Sequence, residues 1–195
     1  TQDLINQLQG DRVGLIAFAG RAFLQAPLTI DYEAVMESIH DLDTKTIPEG
    51  GTNISSAIDL ATQSFGKSAV GNRALIIFTD GEELSGDAVK TAKTAADEGV
   101  RILTVGVGTP QGSLIPITSE NGETSFVKDS AGQVVKSKLD EKPLLEIAQA
   151  TGITPEAARK RVEYVRGSLL IDGQVATCGD DLSLILTHTH GAEHE

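Results

Sequence analysis

The sequence predicts a three-layer α/β domain on a mostly parallel sheet, with an antiparallel hairpin at one edge. Three observations carry that prediction. Short continuous apolar runs recur as "RVGLIAFAG", "ALIIF" and "VRILTVGV", the pattern of strands covered on both faces. Between them, apolar residues repeat at spacings of three and four, as on one face of a helix. The two patterns then alternate as strand, helix, strand, helix, strand, which a parallel sheet sandwiched by helices accounts for.

The elements follow in order. Leu4, Ile5 and Leu8 make a helical face that stops at Gly10, so the chain opens on the end of a helix. "RVGLIAFAG" and "AFLQAPL" are strands whose Gly20–Arg21 join is too short for anything but a hairpin. Asp31 caps a helix with Tyr32, Val35, Ile39 and Leu42 on one face. The loop "TIPEGGTN" intervenes. Asn53 then caps a helix whose inner face is Ile54, Ala57, Ile58, Ala61 and Phe65, closed by Gly66. "ALIIF" is the next strand. A helix from about Gly86 to Glu98 buries Val89, Ala92 and Ala96, small residues suited to close packing on a sheet. "VRILTVGV" is another buried strand.

Residues 112–138 break the rhythm. Short β-prone pieces separated by Asn121–Gly122 and Ala131–Gly132 predict an inserted hairpin or small ribbon. Asp140 caps a further helix, with Pro143 in its first turn and Leu144, Ile147 and Ala148 inward. After Gly152 the register changes. Thr154–Pro155 opens a helix with Ala158, Val162 and Val165 on one face, and two apolar runs and a His-bearing tail follow. The expected organisation is a domain over 1–152 and a segment of uncertain origin over 153–195.

Bulk properties bound the function. The 195 residues are 39% hydrophobic and 23% charged, which suits one globular domain rather than a disordered chain. A net charge of −12 argues against a nucleic-acid backbone as the main ligand and is compatible with cations or basic partners. Cys178 is the lone cysteine, so no internal disulfide is expected and the compartment stays open. No run of about 18 apolar residues suggests a membrane span, and no signal peptide is apparent. Residue 1 is Thr and the single methionine is Met36, so a processed or truncated piece is expected, with any anchor outside it.

The stretch that bears on chemistry is "ALIIFTDGEELSG". A buried strand runs straight into Asp80, Gly81, Glu82 and Glu83. In an open parallel sheet, ligand sites form beyond the carboxyl ends of the strands. A hard cation such as Mg²⁺ takes oxygen ligands and keeps several waters. Asp80 is a suitable donor, and Thr52 in "GGTN" is the obvious hydroxyl, with Gly50 and Gly51 letting the backbone approach closely. By spacing alone, Asp80–Gly81 also reads as a turn and Thr52 as part of a helix cap. Glu82 and Glu83 read as solvated residues ahead of a helix.

Four stretches together carry a resemblance. "GDRVGLIAFAGRAFLQAPLTIDY", "IPEGGTNISSAI", "ALIIFTDGEE" and "RILTVGVGTPQGSLIPI", in that order, resemble the von Willebrand factor type A domain. The insert "FVKDSAGQVVKSKLDEKPLLEIAQATG" narrows the likeness to bacterial Bat-type proteins of aerotolerance operons. The resemblance covers about residues 1–152. It implies a Rossmann-like fold and a metal-ion-dependent adhesion site that binds Mg²⁺ or Mn²⁺. In the family that site combines an Asp-x-Ser-x-Ser loop, a threonine and an aspartate. Thr52 matches the threonine and Asp80 the aspartate, with Gly50, Gly51, Asn53 and Gly81 as loop support. The Asp-x-Ser-x-Ser loop and the central strand before it have no counterpart in this sequence. The resemblance therefore implies weak cation binding, and bare strand edges in a poorly stable chain.

It further implies a non-enzymatic binding role, with a partner's Asp or Glu completing the metal's coordination. It implies an inner-membrane-anchored parent in the bacterial envelope, with a MoxR-type AAA+ ATPase and other Bat-type proteins as partners. No nucleic acid is implied, and membrane attachment only through parts outside this sequence.

Three weaker signals remain. "VGVGTPQG" resembles a dinucleotide-binding loop, but β-prone "SLIPIT" follows where a helix is required. The helix over 154–166, with Arg159, Lys160 and Arg161, resembles the second helix of a helix-turn-helix and gives a DNA-binding alternative. His188, His190 and His194 with Glu193 resemble a departed form of the metallo-β-lactamase signature, which gives a metal-dependent hydrolase alternative.

Overall fold

The computed structural model describes residues 5, 10–42, 47, 51–66, 72–82, 87–118, 122, 124–128, 131–152 and 181–188, with 72, 118 and 181–188 as backbone. Strands β1 (Arg12–Phe18) and β2 (Ala22–Thr29) form the expected antiparallel hairpin, pairing Ile16 with Leu24 and Phe18 with Ala22. The register shifts on both sides of Leu15. As the outer strand, β2 can hold Pro27, whose missing N–H would break the ladder of a central strand. Strands β3 (Asn72–Thr79) and β4 (Val100–Gly106) are parallel, with Leu75 opposite Ile102.

The sheet departs from expectation at its centre. Strand β9 (Asp181–His188) lies between β1 and β3 and is antiparallel to both, giving the order β2-β1-β9-β3-β4. Leu184 pairs with Leu15 on one side and with Ile76 on the other. The bare edges expected of β1 and β3 are therefore covered. The reason is general: a buried strand leaves its N–H and C=O groups unpaired unless a neighbour takes them, and an alternating apolar segment can do so in either direction. Within this sheet β3–β4 is the parallel pairing among the described residues, while β1 and β3 still point the same way across β9.

Period-two alternation sends side chains of β1 and β3 to two separate cores. On one face, Ile16, Phe18, Leu75 and Ile77 pack with Ile54, Ile58 and Phe65 of α2 (Ile54–Phe65), Ala88 and Ala92 of α3 (Ala88–Asp97) and Ile147 of α4 (Glu141–Ala150). On the other, Val13 and Leu15 meet Ile5 and Val35, the latter from α1 (Tyr32–His40), with Ile76 and Phe78 alongside. Ile5 is helical and buried, in keeping with an opening helix; Leu4 and Leu8 lie outside the described residues. The predicted caps hold: Asp31 accepts from Ala34 N–H, Asn53 from Ser56 N–H and Asp140 from Lys142 N–H.

Helix α3 corrects one expectation. Asp87 caps it, so it starts at Ala88 rather than near Gly86. The fully buried face is then Ala88, Ala92 and Ala95, with Ala96 and Val89 at its margin. The insert is the expected ribbon. Strand β5 (Ser113–Leu114) pairs with β8 (Lys136–Ser137), and β6 (Pro116–Thr118) with β7 (Thr124–Phe126). Leu114, Ile117, Phe126 and Val134 stand exposed on it.

Candidate metal centre

Asp80 follows β3 at the carboxyl edge of the sheet, and every neighbouring element fixes it. Thr79 is buried; its hydroxyl accepts Gly81 N–H at 3.2 Å, and its carbonyl accepts Val107 N–H at 2.8 Å, tying the end of β3 to the end of β4. The Asp80 carbonyl accepts Asp140 N–H at 2.8 Å, so the start of α4 is laid across the turn. Gly81 has φ +85, and a Cβ there would run into the Asp140 carbonyl. Glycine is required both by the backbone conformation and by the close approach.

The Asp80 carboxylate is oriented from two sides. Oδ1 accepts Glu82 N–H at 3.2 Å, and Oδ2 accepts the Ser137 hydroxyl at 2.8 Å. Each carboxylate oxygen has two lone-pair sites, so capacity remains on both for a hard cation. Glu82 itself titrates above its ordinary 4.5, because partial burial and then the Asp80 charge disfavour its ionised form.

Thr52 reaches the same edge from the other side. It is buried, with 8% of its surface exposed. The next residue, Asn53, donates its N–H to the Ala19 carbonyl at 2.8 Å, fastening the start of α2 just beyond β1. Gly51 has φ +115, a conformation that favours glycine. The ends of β1 and β3 flank β9, about 10 Å apart at ordinary strand spacing. Asp181 begins β9 at this edge, opposite Phe18.

Thr52 and Asp80 thus lie at one edge of the sheet, beyond the ends of β1 and β3, and a hydroxyl and a carboxylate both suit a hard oxygen-seeking cation. Among the described residues no group of three His, Cys, Asp or Glu side chains gathers. Gly50 and Glu83 lie outside the described residues, as do His190, Glu193, His194 and the helix over 154–166. The backbone of His188 pairs with Asn72, at the end of the sheet opposite Asp80. Sequence reasoning missed one contact at the site and the place of one acidic residue in the sheet. Ser137 has no local signal, since its contact with Asp80 spans the whole insert. Asp181 stands in "GDDLSLILTH", where an acidic pair opens an alternating strand, but only the pairing places it at this edge.

The sequence profile of the von Willebrand factor type A domain matches residues 1–141. The chain belongs to that family. Its sheet flanked by helices is the Rossmann-like α/β fold of such domains. It is 34% identical to BatB of Bacteroides thetaiotaomicron, with a TM-score of 0.73 over 85% of this chain and 83% of that one. It is 33% identical to an aerotolerance-related membrane protein of Bacteroides fragilis, with a TM-score of 0.73 over 86% and 83%. A UPF0353 protein of Nocardia farcinica is 27% identical over 157 residues, 74% of this chain and 45% of that protein. An uncharacterized protein of Borreliella burgdorferi is 26% identical over 150 residues, 76% of this chain and 42% of that protein. The chain spans less than half the length of these two relatives. This von Willebrand type A domain is thus of the bacterial Bat type. Among its described residues no helix is long and apolar enough to cross a membrane.

Proposed function

We propose that this domain is a protein-interaction module that binds its partner through Mg²⁺ or Mn²⁺ held at the carboxyl edge of the sheet. The observation that carries the reading is the arrival of Thr52 and Asp80 on one edge from opposite sides of β9. Thr52 would supply a hydroxyl oxygen and Asp80 a carboxylate oxygen. The cation, when bound, supplies an electrophilic centre for an Asp or Glu side chain of the partner. With two protein donors, one of them neutral, the hold is expected to be weak, because Mg²⁺ gives up its waters reluctantly. The exposed apolar ribbon lies close by through Ser137 and suits a protein partner rather than a small molecule.

The Bacteroides fragilis neighbour is described as a membrane protein, which supports an envelope-associated parent anchored in the inner membrane. Other Bat-type proteins and a MoxR-type AAA+ ATPase are the partners this reading favours. A non-enzymatic role is part of the reading, since Thr52 and Asp80 lack a nucleophile–base pairing between them.

The test is a Mn²⁺ titration followed by relaxation broadening of backbone amide signals, which reports location even at millimolar affinity. Broadening should centre on Thr52 and Gly81 and vanish in Asp80→Ala, while Thr52→Ala should weaken it. Broadening that survives Asp80→Ala, or that centres elsewhere, sinks the reading.

A further inference from the structure

Ser137 lies 57 residues beyond Asp80, yet its hydroxyl donates to Asp80 Oδ2 at 2.8 Å in a partly buried setting. It sits on β8, the returning strand of the ribbon, opposite Ser113. The residues after it are fastened to the rest of the domain by backbone bonds. Leu139 N–H donates to the Thr109 carbonyl at 3.1 Å, and Asp140 N–H to the Asp80 carbonyl at 2.8 Å. At Gly112 a Cβ would press on the Lys138 side chain and the Ser137 carbonyl, so the turn before β5 also lies close against this strand. Among the described residues Ser137 is the ribbon side chain that reaches the carboxylate.

A carboxylate on a flexible Cβ needs a partner at each oxygen to hold one orientation. Glu82 N–H provides the first and Ser137 the second. Groups that orient metal ligands from behind commonly change metal affinity about 10–100-fold when removed. Coupling of this kind is reciprocal: if the docked ribbon favours cation binding, bound cation must favour the docked ribbon.

We propose that Ser137 is a positioning residue for the cation site and that it couples the site to the docking of the ribbon. This rests on the reading of Thr52 and Asp80 as the cation's donors. The ribbon carries the exposed Leu114, Ile117 and Phe126. A partner contacting those side chains would then read the occupancy of the site through Ser137.

The experiment uses the full chain and the Ser137→Ala, Ser137→Thr and Thr52→Ala variants. It measures amide hydrogen exchange of Leu139 and Asp140, in EDTA and with Mn²⁺, alongside Mn²⁺ affinity. In EDTA, Ser137→Ala should speed exchange at both amides severalfold, and Thr52→Ala should leave it unchanged. Mn²⁺ should slow exchange at both amides in the wild type. Ser137→Ala should weaken Mn²⁺ binding about tenfold, and Ser137→Thr, which keeps the hydroxyl, should restore both properties. Unchanged exchange in Ser137→Ala, or failure of Ser137→Thr to restore it, overturns the inference. Weaker Mn²⁺ binding in Thr52→Ala but not in Ser137→Ala overturns it while leaving the site itself intact. Absence of Mn²⁺ binding in the wild type overturns the reading of the site and the coupling with it.

Discussion

Gly81→Ala should be among the most costly single substitutions at the carboxyl edge, and Gly99→Ala is its matched control. Both glycines have φ +85, so both alanines carry the same left-handed backbone penalty of about 1–2 kcal/mol. Their surroundings differ. Nothing lies within 4 Å of a Cβ at Gly99, whereas at Gly81 it collides with the Asp140 carbonyl and touches Leu144. Backbone cannot swing aside as a lysine tip can, so the start of α4 must lift from the turn. That breaks the Asp140–Asp80 backbone bond, worth about 1 kcal/mol net, and adds overpacking strain of about 1–3 kcal/mol. Gly81→Ala should therefore cost about 3–6 kcal/mol, and Gly99→Ala about 1–2 kcal/mol. Urea unfolding followed by far-UV circular dichroism measures both, and comparable m-values would show that the denatured states match. Equal costs for the two variants would refute the close approach of α4 to Asp80.

Glu82→Gln tests the charge at the site. The Glu82 carboxyl is raised above 4.5 in the folded chain, so its ionisation opposes folding. That penalty is absent below 4.5 and complete once the pH has passed the folded value. The variant should match wild type at the acidic end and gain on it as pH climbs; stability curves that run parallel at all pH values would contradict the shift. A chain ending at residue 180 loses the pairing of β9 to both β1 and β3. With two apolar strand edges bare, it should lose its cooperative transition and associate, seen by calorimetry and size-exclusion chromatography. A monomer that melts as sharply as the full chain would show that β9 is dispensable.

Most of the architecture was legible because its signals are local. Asp31, Asn53 and Asp140 announce helix starts through a single side-chain bond to nearby N–H groups, and Ile54 to Phe65 show their inner face by spacing. The hairpin at Gly20–Arg21 follows from loop length. The start of α3 was misplaced because "GDAVK" offers no apolar residue ahead of Ala88 to set the phase, and Asp87 won as the cap. The centre of the sheet was not legible. The segment "DLSLILTH" shows its strand character, but which edges it joins and in which direction depends on partners more than 100 residues away. At the site, Thr52 and Asp80 could be named from their neighbours in sequence. Ser137 could not, because a serine on a two-residue strand carries no mark of the carboxylate it will meet.

The place of β9 also sets a timetable. Leu15 and Leu184 are neighbours in the sheet, yet about 170 residues of chain separate them. On a ribosome making 5–20 residues per second, β1 would wait roughly 10–30 s for that neighbour to be made. The hairpin of β1 and β2 can close early, as can the β3–α3–β4 unit, but each then presents one unfinished strand flank. Helix α2 packs on both β1 and β3 and can hold the halves together, but the strand flanks would stay open until β9 enters between them. Such a sheet matures by insertion rather than by growth from one side, and during that interval a chaperone or a neighbouring copy has access to the gap.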